Sequence, residues 1–155
     1  MGKRHLLGAA AAVAALAGPS AFAAGDPVAA VNADLAKLRA DVASARATIV
    51  PTAQKLASDA AAAKGSTRVQ AVALVRPDLV QLRSEVKTAR TQIAADRAQL
   101  KTDLAGAKTV TGARKQLQPA VKSTRTAVKA DRTAIRNALQ QARQAVKDLR
   151  ASFRK

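Results

Sequence analysis

The sequence contains no cysteine, no tryptophan and no tyrosine, and its 155 residues include only two phenylalanines, one histidine and one methionine. Each absence removes a class of chemistry. Without cysteine there is no disulfide to staple the fold, no thiolate nucleophile and no soft metal ligand. The one histidine, His5, stands in an N-terminal leader, so the rest of the chain lacks the usual general base. Serine and threonine are present, but with no histidine or tyrosine to activate them a catalytic triad cannot be drawn. Paired carboxylates of the glycosidase kind need a cleft with aromatic walls, and Phe153 alone cannot build one. Calcium wants more oxygen ligands than one helix face provides. The expectation is a protein that is not an enzyme, with no cofactor and no metal site.

The leader reads "MGKRH", then the apolar run "LLGAAAAVAALA" (Leu6 to Ala17), then Gly18-Pro19 and the small-x-small triplet Ala21-Phe22-Ala23. This is the layout of a secretory signal peptide over 1–23, with cleavage after Ala23 and a secreted or periplasmic destination. A membrane anchor would need an apolar run of about 20 residues. After cleavage no transmembrane segment remains, and Lys3-Arg4 is not a twin arginine. Residues 24–155 are short enough for one domain.

In that domain apolar residues recur at steps of three and four. The first series is Val28, Val31, Leu35, Leu38, Val42, Ala45, Ile49. The second is Val72, Val75, Leu79, Leu82, Val86, Ala89, Ile93, weakening at Asp96 before Leu100. The third runs Leu117, Val121, Thr124, Val128, Asp131, Ile135, Leu139, Ala142, Val146, Leu149, Phe153. The mean step of about 3.5 is that of a left-handed coiled-coil seam, and no window alternates with period two. Asp26-Pro27, "KGST" (Lys64 to Thr67) and "GAKTVTGA" (Gly106 to Ala113) punctuate the series with caps and glycine stops. The spacing predicts helices over 27–63, 67–106 and 112–152. The fold class is all-α: an elongated antiparallel three-helix bundle or coiled coil of ~40-residue helices, kinked at Pro51 and Pro77. The alternative at those prolines is a set of five or more shorter helices.

The chain also repeats itself. "KTARTQIAADR" (Lys87 to Arg97) returns 35 residues later as "KSTRTAVKADR" (Lys122 to Arg132), and 31–49 aligns with 75–93 at an offset of 44. Five heptads keep seam and flanks in phase, so the eleven-residue unit is one helical tile used on two helices. Duplication and convergence on a heptad pattern explain it equally well. Asp34, Asp41, Asp78 and Glu85 flank the seam, where acids balance basic neighbours. Asp96 and Asp131 fall inside it, where an unpaired carboxylate costs several kcal/mol, roughly the price of stranding a buried charge. Each needs an opened seam, its own Arg97 or Arg132, or a base from a neighbouring helix.

What is abundant is positive charge: 27 Lys and Arg against ten Asp and Glu, a formal charge of +17. Only Lys3 and Arg4 leave with the leader. On the third helix Lys115, Lys122, Lys129, Arg136, Arg143 and Arg150 fall at seven-residue spacing without a gap. On the second, Arg76, Arg83, Arg90 and Arg97 do the same, and Arg125 and Arg132 form a short further row. On a supercoiled helix such a row is a straight line of charge, one side chain every ~10.5 Å. Any heptad repeat generates rows, but uncompensated charge repels itself and destabilises the compact state. These twelve side chains are therefore the candidate polyanion-binding site. The expected partners are anionic envelope polymers, acidic glycans or lipid headgroups, with non-specific nucleic-acid binding also open. Sequence-specific readout is disfavoured by the lack of aromatics for stacking. The alternative function is a periplasmic chaperone-like or structural coiled coil acting by helix–helix association, with self-association through its seam.

Overall fold

In a computed structural model of the chain, described over residues 26–154, three long helices pack into one all-α bundle. They are α1 (Pro27–Ala62), α2 (Arg68–Ala107) and α3 (Ala113–Ser152). The signal segment read over 1–23 lies outside the described residues.

Local chemistry sets the ends. The Asp26 carboxylate accepts from the Val28 N–H at 2.9 Å, with Pro27 at the first helical position. Thr67 and Gln70 close a reciprocal capping box at the start of α2. Gly65 (φ +94°) and Gly112 (φ +79°) take the left-handed turns between helices, a region costly for any residue with a Cβ. α1 and α2 run through Pro51 and Pro77 without a break, so the alternative of shorter helices does not hold. A third proline, Pro119, sits inside α3. All three prolines are exposed, as are Ala47, Ala73 and Lys115 four residues earlier, so the carbonyls they free face water.

α1 is the central element. It packs along its length against both α2 and α3, whereas the backbones of α2 and α3 scarcely approach each other. Its whole apolar series is buried, from Val28 through Val31, Leu35, Leu38, Val42 and Ala45 to Ile49, and continues through Ala53 and Leu56. Nine of the twenty buried apolar residues are alanine, which lets two helices approach α1 closely at once. The core forms two clusters. One groups Ala45, Ile49, Ala53 and Leu56 with Ala71, Val75 and Leu82 of α2 and Ala138, Ala142 and Leu149 of α3. The other groups Val28, Val31 and Leu35 with Ala107, Ala113 and Leu117.

Between the two clusters α1 stays apolar through Leu38 and Val42, while α2 and α3 turn polar. Asp96 on α2 and Thr124 and Asp131 on α3 are buried there. The two aspartates of the repeated tile both reach α1: Asp96 pairs with Lys37, and Asp131 accepts from Arg46 Nη1 at 3.0 Å. The neighbouring helix, not Arg97 or Arg132, supplies the base. Asp78, read as a flanking position, is buried as well, and Lys55 Nζ reaches both its oxygens at 2.8 Å.

Lys37 and Lys55 repeat one construction. Each holds an aspartate one turn ahead on α1 (Asp41 at 2.8 Å, Asp59 at 2.7 Å) and a buried aspartate on α2. The two clamps lie 18 residues apart on both helices, five full turns, as an antiparallel pair in register requires. A one-turn slip would leave both buried carboxylates unpaired, so the clamps specify alignment more than they add stability.

Candidate functional site

The same packing that buries α1 on two sides leaves α2 and α3 facing each other across an open groove. Their apolar series divides into two rows. Val75, Leu82 and Asp96 on α2, with Leu117, Thr124, Asp131 and Ala138 on α3, turn toward α1 and are buried. The other row stays only half-buried: Leu79, Val86, Ile93 and Leu100 on α2, and Val128, Ile135, Leu139 and Val146 on α3. At its ends Val72 is 52% exposed and Val121 39%.

Three cavities open along this groove. The largest, about 1500 Å³, lies where α2 ends and α3 begins, over Leu100, Leu104, Leu117 and Val121. The second, about 860 Å³, lies toward the other end over Leu79, Leu82, Val86, Leu139 and Val146, with Leu56 of α1 beneath. A third, about 550 Å³, continues it to Val72 and Phe153.

The sequence-derived rows meet here. Arg76, Arg83, Arg90 and Arg97 all line the α2 wall. From α3, Lys115, Lys122 and Arg125 line the first cavity and Arg143 and Arg150 the second. Lys129, Arg132 and Arg136 are exposed on the middle of α3 and line none of the three cavities. Beside Lys87 of the repeated tile, further bases in the walls lie outside the unbroken rows, among them Lys101, Lys108, Lys147 and Arg154. Their signal was present in broken form: Lys87, Lys101 and Lys108 share one seven-residue row, interrupted at Ala94. Requiring a row without gaps hid them.

No acidic residue lines any of these cavities. Of the ten acids only Asp26 is exposed, and the other nine are buried or half-buried. Several are committed to bonds within the bundle. Glu85 Oε1 accepts from Thr52 and from Gln81, and Gln99 and Gln144 hold Asp103 and Asp148. Hydrogen bonds to Asp41 and Asp96 raise the Lys37 ammonium further above its ordinary value, and the same bond to Lys37 pulls Asp41 down. The bundle therefore turns its acids inward, pairing Asp41, Asp59, Asp78, Asp96 and Asp131 with bases of α1, and leaves the groove walls to its bases, so the groove is electropositive along both sides.

One carboxyl is held against its charge. Burial first, then the neighbouring Asp103 carboxyl, with a further push from Asp96, raises Asp34 from 3.8 to about 6; Lys37 opposes them. A raised acid binds its proton more tightly folded than unfolded, so stability falls as pH rises from about 4 through 6. Asp41 and Asp59 are lowered and act oppositely, losing their contribution as pH drops below the usual carboxylate range. Asp34→Asn is expected to raise the unfolding free energy at pH 7.5 by roughly 1 kcal/mol after solvent screening, with little change at pH 4.5. Chemical denaturation at the two pH values checks this, and an equal change at both would contradict it.

Among the described residues no helix is long and apolar enough to cross a membrane, and no group of three or more acidic or histidine side chains is arranged to hold a metal ion. Comparison with protein-family models, curated proteins and solved structures gives no match.

Proposed function

We propose that this is an exported, non-enzymatic helical protein that binds anionic polymers or surfaces of the cell envelope or extracellular space through its Lys/Arg rows. The observation that carries this reading is the sorting of charge in three dimensions. Heptad rows on two different helices line one groove, while nine of ten acids are buried or half-buried. A basic face serving solubility alone would carry acids among its bases. Parallel lines of cations spaced at about 10.5 Å instead match an extended polyanion or an array of headgroups. Export rests on the leader sequence, and an N-terminus at Ala24 in the protein recovered outside the cytoplasm is its expected signature.

Such binding releases counterions and weakens steeply with salt. The chain from Ala24 onward is expected to be retained on heparin or DNA resin and to elute well above physiological salt. Release at or below about 0.15 M salt, where surface charge is screened beyond ~8 Å, would overturn the reading. One observation favours helix–helix association as a second reading: the apolar row between α2 and α3 is left half-exposed.

A further inference from the structure

We infer that the α2–α3 groove is the seat for a fourth helix, an acidic amphipathic helix of a partner protein. The inference rests on the polyanion-binding reading of the same groove and names the partner's form.

The first support is architecture. α1 touches both neighbours along their length while α2 and α3 stand apart. This is the arrangement of three corners of a four-helix square, with the corner diagonal to α1 open. The second support is the groove floor. A purely hydrophilic polymer needs only the basic walls, yet the floor is apolar and keeps a strict seven-residue period: Val72, Leu79, Val86, Ile93 and Leu100. A heptad-spaced floor is what a helix with an apolar stripe of 3.5-residue period docks against. It also extends over four heptads of α2, from Val72 to Leu100, roughly 42 Å and far beyond what one acyl chain covers.

Charge selects the occupant. Arg83 and Arg90 face Arg143 and Arg150 across the second cavity, without an acid in its wall. A helix seated there presents its flanking positions to these bases, and acids at those positions pair with them. A second copy of this chain does not meet the requirement. Its only exposed acid is Asp26, and two such grooves would oppose like charges. The leader offers no acid either.

The test uses the chain from Ala24, which contains every residue of both apolar clusters, and a four-heptad peptide with Leu at a and d and Glu at e and g. A peptide of identical composition, scrambled to destroy the stripe, is the control. The striped peptide is expected to bind about tenfold or more tightly than the scrambled one, the margin that burying even one or two leucines supplies. Val72→Gln and Val121→Gln, both at exposed floor positions, are expected to erase that preference while leaving helicity and heparin retention unchanged. Equal binding of the two peptides with heparin retention intact would overturn the fourth helix and leave the polyanion reading standing. Loss of heparin retention in the unaltered chain would overturn both. Binding to phosphatidylglycerol vesicles that depends on Val72 and Val121, with no peptide preference, would overturn the helix and assign the floor to acyl chains.

Discussion

Arg83→Gln, Arg90→Gln, Arg143→Gln and Arg150→Gln combined in one protein are expected to lower its affinity for heparin by about a thousandfold. They should also flatten the salt dependence by about three to four in log–log slope. The magnitude follows from roughly 1 kcal/mol per cation near an anionic surface and one released counterion per contact. All four side chains are exposed, line the second cavity and form no ion pair within the bundle. Folding should therefore be unaffected, and the lower self-repulsion can only favour the compact state. Changing Lys122, Lys129, Arg136 and Arg143 to Gln distributes the same charge loss along one helix, including two residues that line no cavity. If the groove is the site, the first set weakens binding more than the second. Equal losses would mean that net charge alone governs retention.

Leu56→Ala is expected to lower the unfolding free energy by about 2–5 kcal/mol, the range for emptying a packed leucine site. Leu56 is 1% exposed and among the largest fully buried side chains of the bundle. It lies in the larger cluster, where α1 meets both partners, and forms the floor beneath the second cavity. The opening above it gives surrounding atoms little to collapse onto. Val72→Gln on the open row should stay within about 0.5 kcal/mol, as surface changes do, because Val72 is 52% exposed. Urea unfolding of the two variants measures this contrast. Similar costs at both positions would mean that α2 and α3 close upon each other in solution.

Much of the fold was legible because helix-forming signals are local. The caps at Asp26 and Thr67 and the glycines at 65 and 112 place the helix ends within one residue of those expected. The α1 series Val28 to Ile49 is buried without exception. Periodicity also locates the basic rows, since seven-residue spacing on a helix means one face whatever the helix packs against.

Which face each row occupies was not legible. The apolar series on α2 and α3 read as single seams, yet the structure divides each into a closed row against α1 and an open row along the groove. Steps of three and four describe a stripe two rows wide, and a stripe does not say whether one neighbour or two will cover it. The aspartates show the same limit. Asp96 and Asp131 read as misplaced polar residues because their partners, Lys37 and Arg46, lie 59 and 85 residues away on α1. Three helices with their ends marked, two by capping side chains and the third by Gly112, a period of 3.5 and an excess of bases in straight rows are all properties of one helix at a time, and so can be read along the chain. That α1 is central, that its neighbours turn their acids inward, and that the two basic rows face each other follows instead from the packing of the three helices. Those outcomes depend on how three stripes share one core, where alanine permits two helices to close on α1 at once.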